Sequence, residues 1–198
     1  MPEQLSLFVE EAKEPGGFRL VPGFISADEE GALSERISEL PLTPFQFGAF
    51  EGKRRVASFG WRYDYSLQKL VQASALPDWL IPFARRIETF FPLRDGAIQQ
   101  VLCTEYDKGV GIGWHRDKPH FADIFGLSLV SACKFRFRRM VDLGWQRATF
   151  DVEPRSLYMM SGESRYIWEH SIPPVAARRH SITFRTMAVA AEKTSAHV

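Results

Sequence analysis

The pattern of hydrophobic and polar positions divides the chain into a helical first part and a strand-rich second part. After a short apolar strand at residues 18–21, Ser26 and a glutamate three residues later carry a capping-box signature. Apolar residues then recur at helical spacing until Pro41, which should end this helix. A second amphipathic helix is predicted from Pro77 to Phe91, because proline favours the first turn of a helix.

From about residue 97 the pattern changes to short runs separated by turn residues. Eight such runs have the length and composition of strands. They are IQQVLCTEY, GIGWHRD, IFGLSLV, ACKFRFRR, QRATFDV, SLYMMSG, RYIWEHSI and RRHSITFRTMAV. We therefore expect a mainly β fold with flanking helices (α+β), in which a barrel or jelly roll is buttressed by the helices that precede it.

The length of 198 residues suits one domain, and 16 phenylalanines can supply a sizeable core. We place this domain at residues 18–190, after a flexible lead-in at 1–17 that ends in Pro-Gly-Gly and before a disordered tail at 191–198. Residues 42–66 are rich in aromatic, glycine and basic side chains. They are predicted to form a covering hairpin or loop system, a substrate lid.

Charge and cysteine content narrow the class of protein. A formal net charge of +1 means that any contact with nucleic acid must come from local basic patches. Two cysteines are too few for a disulfide framework, and their spacing does not match a zinc site. A chain without a disulfide framework is typical of a reducing compartment. The acidic N-terminus does not resemble a signal peptide, and no apolar run is long enough to span a membrane. We expect a soluble, cytoplasmic monomer with no membrane partner.

Three residues have the types and spacing of an iron site. His115 and Asp117 lie two apart near a predicted strand end, so their side chains point to the same face, and His170 ends another strand. Two imidazoles and one carboxylate form the facial triad of iron(II) oxygenases. On the His-x-Asp pair alone, an ordinary surface pair is the commoner explanation. Trp114 and Trp168, next to the histidines, are expected to serve packing.

The last predicted strand offers two arginines. Arg179 and Arg185 are an even number of residues apart, so both face the barrel interior if the segment is a strand. Buried guanidinium groups need an anionic partner, and two of them could hold the carboxylates of a small diacid. In the alternative, both face solvent on an ordinary alternating strand, as we expect for Arg136 and Arg138.

The order of these motifs resembles the AlkB family of oxidative demethylases over roughly residues 55–190. The matching motifs are Tyr106, His115-x-Asp117, Gly162-Glu-Ser-Arg165, His170 and Arg179-x-Ser-x-Thr-Phe-Arg185. The resemblance implies a double-stranded β-helix that uses Fe(II), 2-oxoglutarate and molecular oxygen. It also implies removal of N-alkyl groups from DNA or RNA bases, with release of formaldehyde.

The same resemblance implies roles for individual residues. The His–Asp–His set would bind iron, Arg179 would take the distal carboxylate of 2-oxoglutarate, and Arg185 would lie near the metal-bound end and Asp117. Tyr106 would help to hold the cosubstrate. The chain has Thr104 and Ser181 where the family often has asparagine, and both can still hydrogen-bond to the cosubstrate. It also has Pro119 where the base-repair branch often has an acidic residue, which leaves the identity of the base open.

Basic and aromatic residues alternate in the predicted lid, as in grooves that bind an unpaired strand. Trp61, Tyr63, Arg54 and Arg55, together with Lys53, are therefore candidates for binding single-stranded DNA or RNA. In the alternative, these aromatics only cover the core. Two other functions stay open: the same oxygenase chemistry on a protein or small-molecule substrate, and a catalytically silent binding module. Retention of all five polar site residues argues against the latter.

The N-terminal segment Gln4-Leu5-Ser6-Leu7-Phe8 resembles the short peptides by which bacterial replication and repair proteins dock on the sliding clamp. An extended chain that orders only on binding gives modest affinity and fast exchange. In the alternative, Leu5, Leu7 and Phe8 pack onto the helices of this same protein.

Overall fold

Two antiparallel sheets of unequal size face each other, with two helices behind the larger sheet. The computed structural model describes residues 14–47 and 50–188, so residues 4–8 and the tail 191–198 lie outside the described part. The elements are β1 (Phe18–Val21), α1 (Ala27–Glu39), β2 (Thr43–Phe47), β3 (Phe50–Phe59), β4 (Trp61–Asp64), β5 (Lys69–Gln72), α2 (Ile81–Phe90), β6 (Ile98–Tyr106), β7 (Ile112–His115), β8 (Phe121–Leu129), β9 (Cys133–Val141), β10 (Gly144–Val152), β11 (Leu157–Met160), α3 (Gly162–Tyr166), β12 (Glu169–Ile172) and β13 (Arg179–Met187).

The eight predicted strands are β6 to β13, and they divide between the two sheets. The large sheet has the order β1-β11-β8-β13-β6-β3-β2 and the small sheet the order β10-β9-β12-β7. Apart from β9 and β10, which form a hairpin within the small sheet, successive strands from β6 to β13 alternate between the two sheets. This is the double-stranded β-helix, and the predicted fold class is confirmed.

Both helices pack on the large sheet. Leu33 and Ile37 of α1 and Ile87 of α2 are buried in one core with Phe125 and Phe184 from the sheet. Burying a side chain of this size contributes about 1.5–3 kcal/mol, so the helices brace the sheet that carries the site. Among the described residues, no helix combines the length and the apolar character needed to cross a membrane.

Helix α1 begins where the sequence predicts, whereas α2 begins later than predicted. The backbone N–H of Glu29 donates to Ser26 Oγ (3.1 Å), and Ser26 N–H donates to the Glu29 carboxylate (2.9 Å), so the capping box is present. The prediction that the second helix starts at Pro77 was wrong. Leu80 N–H bonds to Pro77 O in a separate turn, and α2 begins only at Ile81. The segment contains both Pro77 and Pro82, and either of them could have been the proline in the first turn of the helix.

Two stretches were assigned too coarsely from the sequence. The run RYIWEHSI was predicted as one strand, but α3 (Gly162–Tyr166) occupies its beginning and β12 starts at Glu169. The predicted lid contains β2, β3 and β4. β3 joins the large sheet through β6, with Arg55 opposite Glu105, whereas β4 pairs with β5 in a separate two-stranded ribbon. The predicted covering hairpin is therefore an extension of the large sheet plus a ribbon.

A second core fills the space between the sheets. Tyr106 and Tyr158 from the large sheet meet Phe135 and Phe137 from the small one, with Trp168, which directly precedes β12. Trp168 is almost fully buried, as expected for a packing residue. This apolar layer excludes water from one side of the candidate metal site.

Candidate metal and cosubstrate site

Two neighbouring strands of the small sheet, and the loop that follows one of them, carry the three candidate metal ligands. His115 on β7 lies opposite His170 on β12, and Asp117 follows two residues after His115. Ligand atoms of these three residues, called here the ligand triad, all lie within 4.8 Å of one another. The pairing shifts between His115 and Ile112, which leaves one extra residue on β7. A bulge of this kind redirects a side chain, here the imidazole of His115, towards the site.

Contacts behind the ligands orient their donor atoms. Nδ1 of His115 lies 2.8 Å from the carbonyl oxygen of Gly113, and a carbonyl only accepts, so Nδ1 donates and Nε2 is the free ligand atom. The ring of His170 stacks on Phe135 at 5.5 Å between centroids. One oxygen of Asp117 accepts from Arg185 at 2.9 Å. Each ligand is therefore held from behind before any ion binds.

Burial and neighbouring charges set the protonation states that a metal needs. Burial lowers the pKa of His115, and burial together with the adjacent His115 lowers the pKa of His170 to about 3. Burial by itself would raise the pKa of Asp117, but Arg185 and the two imidazoles outweigh it and hold that pKa well below its usual range. At neutral pH the set is two neutral nitrogens and one carboxylate, which fits Fe(II).

The two arginines of β13 both point into the molecule. Arg179 is fully buried, and its Nη2 donates to Ser128 Oγ at 3.0 Å. Its Nε and Nη1 have no hydrogen-bond partner among the described residues. Arg185 donates to Asp117 and, at 2.7 Å, to Gln100 Oε1. A buried guanidinium with two unpaired nitrogens is costly, so Arg179 fits a carboxylate that arrives from outside.

The remaining candidate cosubstrate residues lie on the same inner surface. Arg179 is opposite Tyr106 across the β13–β6 pair, and its guanidinium lies 5.2 Å from the centre of the tyrosine ring. Ser181 is opposite Thr104 in the same pair. Tyr106, Thr104 and Ser181 all line one large cavity with the ligand triad. Arg179 itself is fully buried and does not line the cavity, but it lies beside Tyr106, which does. Together these positions fit a small diacid that reaches past Tyr106 towards Arg179.

The cavity has a volume of about 1120 Å³ and opens towards β3 and β4. Tyr63 and Arg54, two of the predicted substrate residues, line it. The guanidinium of Arg54 lies 4.0 Å from the ring centre of Phe45, and Nζ of Lys118 lies 4.6 Å from that of Tyr63 and 4.8 Å from that of Tyr65. Basic and aromatic side chains therefore alternate around the mouth of the site.

Two predicted substrate residues are not placed at this cavity. Arg55 points to the other face of β3, where it forms an ion pair with Glu105, and it does not line the cavity. Trp61 lies at the start of β4 and is also absent from the lining. Tyr65 and Lys118, which were not predicted, take part instead. Strand alternation separates Arg54 from Arg55, but the sequence does not show which of them faces inward.

The family follows from a comparison with known proteins. Residues 17–187 match the family model described as the 2OG-Fe(II) oxygenase superfamily. The chain belongs to this superfamily. Its cofactor and cosubstrates are therefore Fe(II), 2-oxoglutarate and molecular oxygen, and the protein is a dioxygenase.

Curated relatives of this 2OG oxygenase agree with the resemblance to AlkB proteins. An Arabidopsis thaliana protein named alkylated DNA repair protein ALKBH8 homolog is 32% identical over 193 residues, which cover 85% of this chain and 54% of the relative. The mouse tRNA (carboxymethyluridine(34)-5-O)-methyltransferase ALKBH8 is 33% identical over 168 residues, covering 81% of this chain and 24% of the relative. The chain thus spans about half or less of these relatives.

Solved structures share the fold of this 2OG oxygenase at low sequence identity. OsALKBH1 superposes with a TM-score of 0.64 at 16% identity, covering 87% of this chain and 97% of that structure. A Pseudomonas putida prolyl-4-hydroxylase superposes with a TM-score of 0.57 at 19% identity, covering 88% and 94% respectively. These structures support the jelly-roll fold of the superfamily.

Arg165, from the Gly-Glu-Ser-Arg motif, holds the loop that carries Asp117. Its guanidinium donates to four backbone carbonyls, with distances of 2.7 Å to Lys118 and to Phe121, 3.0 Å to Ala122 and 3.3 Å to Asp117. A planar group with five donors can satisfy this many carbonyls, which a lysine cannot. Through Arg165 the motif thus positions the backbone around Asp117 and adds no residue to the ligand triad.

A buried carboxylate on the other face of the large sheet was missed by the sequence reasoning. Glu105 is only 2% exposed and accepts from Arg55, from Arg178 and from His180, whose Nε2 lies 3.1 Å away. The other ring nitrogen of His180 lies 3.0 Å from Ser34 Oγ on α1. Glu105 therefore ties β3, β6, β13 and α1 together directly behind Tyr106 and Arg179.

Proposed function

We propose that this 2OG oxygenase removes N-alkyl (methyl) groups from bases of DNA or RNA. Hydroxylation of the methyl carbon gives an N-hydroxymethyl group, whose C–N bond then breaks, so that formaldehyde leaves and the base nitrogen regains a proton. The observation that carries the proposal is the mouth of the cavity. Tyr63, Arg54 and Lys118 surround the entrance to the ligand triad, and Lys118 follows the ligand Asp117 directly. Aromatic faces can stack a base, and cationic groups can hold the adjoining phosphates.

The volume of the site supports a substrate of this size. Typical small-molecule pockets measure about 300–1,000 Å³, and the cavity of about 1120 Å³ is slightly larger than that range. It can accept a flipped base in addition to the cosubstrate. The names of the curated relatives, an alkylated DNA repair protein homolog and a tRNA-modifying enzyme, favour a nucleic acid over a protein or metabolite.

The chain's own residues position the reactants. With Fe(II), 2-oxoglutarate and O2 bound, the metal centre supplies the oxidant for the alkyl C–H bond. Arg179 would hold the distal carboxylate of the cosubstrate, while Arg185 keeps Asp117 ionised and fixed in place. Phe135 and the apolar layer behind it exclude water on one side of His170.

The test compares 2-oxoglutarate turnover with methylated single-stranded DNA, with methylated tRNA and without substrate. We expect one of the two nucleic acids to stimulate succinate formation and to release formaldehyde in equal amount. Asp117→Ala serves as the inactive control. Turnover that neither nucleic acid stimulates would refute the proposal, and a protein or metabolite substrate would then be sought.

A further inference from the structure

The outer face of the small sheet carries arginines interleaved with two tryptophans. We call this surface the outer minor face. The guanidinium of Arg138 on β9 lies 4.6 Å from the ring centre of Trp114 and 4.2 Å from that of Trp145, and Arg136 lies 5.0 Å from that of Trp114. Phe135 and Phe137, which alternate with these arginines along β9, are buried in the core. The arginines therefore point away from the metal site.

The positive charge on this face is only partly compensated. Arg138 pairs with Glu169 at 2.6 Å. Arg136 donates instead to the neutral hydroxyl of Ser171 at 3.1 Å, and it forms no ion pair in the described part of the chain. Arg147 on β10 is exposed, and it too has no ion pair among residues 14–47 and 50–188.

The register of the β9–β10 hairpin makes this arrangement costly in the free protein. Arg147 lies directly opposite Arg138, and like charges at opposed positions of an antiparallel pair are destabilising. Next to them, Trp145 is 38% exposed and faces Met140, which is itself exposed. An anionic ligand with flat apolar groups would relieve the charge repulsion and cover the indole at once.

The face is continuous with the cavity. Trp114 contacts both Arg136 and Arg138, and it also lines the cavity together with Arg116. Trp114 lies on β7, an edge strand of the small sheet, and β10 is at the opposite edge. Crossing from one edge to the other takes three strand spacings, roughly 14 Å. A chain whose target base occupies the cavity can therefore leave over Trp114 and run across the sheet.

We propose that the outer minor face binds the nucleotides that flank the target base, with arginines on the phosphates and Trp145 as a stacking platform. This inference rests on the proposed function, because it assumes a nucleic-acid substrate. Guanidinium groups pair phosphate oxygens through two parallel hydrogen bonds, and base stacking on indole tolerates any sequence. The face thus lengthens the binding site without reading the sequence, and Trp114 has a role beyond packing.

The experiment compares oligonucleotides of different length in the wild-type protein and in the double variant Trp145→Ala, Arg147→Ser. Both residues are exposed and lie away from the ligand triad. With a methylated 15-nucleotide substrate we expect KM of the double variant to be about ten-fold or more above that of the wild type, with an unchanged kcat. The slope of log KM against log salt concentration should fall by the amount that corresponds to about one phosphate contact. The increase in KM should vanish when the substrate is shortened to three nucleotides. Arg36→Ser, on α1, is the matched charge control.

The outcomes separate this inference from the proposed function. A wild-type protein that turns over neither oligonucleotide contradicts the proposed function itself. Equal KM values for the long and the short substrate, or a double variant with an unchanged KM and salt slope, refute only the outer minor face. Sedimentation that shows a wild-type dimer dissociated by the double variant would also overturn the inference, because the face would then bind a second copy of the chain.

Discussion

Arg179 offers a test in which affinity and stability should move in opposite directions. Its guanidinium is fully buried, two of its nitrogens have no partner among the described residues, and Ser128 accepts from the third. We consider Arg179→Met, which keeps an unbranched but shorter side chain and removes the charge, and Arg179→Lys, which keeps the charge but loses the planar fork.

The expected loss of cosubstrate affinity follows from the two unpaired nitrogens. A hydrogen bond to a charged group contributes about 1.5–3 kcal/mol, so two of them to a carboxylate contribute about 3–6 kcal/mol. Since each 1.4 kcal/mol is a factor of ten, KM for 2-oxoglutarate should rise by about 10²–10⁴ in Arg179→Met. Lysine can keep one contact, so Arg179→Lys should recover about half of this free energy.

The free protein should respond in the other direction. Each buried unsatisfied donor costs about 1–3 kcal/mol, and methionine removes both unsatisfied donors of Arg179, although it also gives up the contact of the guanidinium with the ring of Tyr106. A net gain of about 1 kcal/mol would raise Tm by about 2–4 °C in a chain of this size. Adding 2-oxoglutarate with Mn²⁺ should stabilise the wild-type protein but not the Met variant.

Two assays decide the outcome. Succinate formation at varied 2-oxoglutarate concentration gives KM, and thermal melting with and without cosubstrate gives the stability change. An unchanged KM in Arg179→Met would place the cosubstrate elsewhere in the cavity. A fall in Tm as large as that of a core deletion would show that Arg179 is a structural residue with partners of its own.

Three further predictions concern the metal, the cavity mouth and the buried carboxylate. Alanine at any member of the ligand triad should abolish Fe(II) binding and turnover while the circular dichroism spectrum stays native, and residual turnover in one variant would remove that residue from the triad. Arg54→Ser should raise KM for an oligonucleotide and reduce its salt dependence, whereas Arg55→Ser should change neither; equal effects would contradict their assignment to opposite faces of β3. Glu105→Gln should lower the free energy of unfolding by about 2–4 kcal/mol, less than a fully buried pair because Arg178 is half exposed. The exposed Glu39→Gln is its control in urea unfolding, and similar losses in both would refute a special role for Glu105.

Much of the site could be predicted because side-chain alternation is a local property of a strand. Even spacing indicated that Arg179 and Arg185 share a face, and the structure turns both inward. The ligand triad needed more than alternation. The bulge in β7 is visible only in the pairing with β12, although the spacing of His115 and Asp117 was already sufficient to bring them together.

The local pattern was sufficient to predict eight strands of the jelly roll, apart from the short α3 at the start of one run, and the beginning of α1, since these depend on near neighbours along the chain. The pairing of β3 with β6 could be seen only in the folded molecule, and with it that Arg55 meets Glu105 while Arg54 faces the cavity. The choice between two opposite faces of a strand depends on which sheet covers it. That cover comes from residues distant in the sequence, so the hydrophobic pattern of residues 42–66 alone could not supply it.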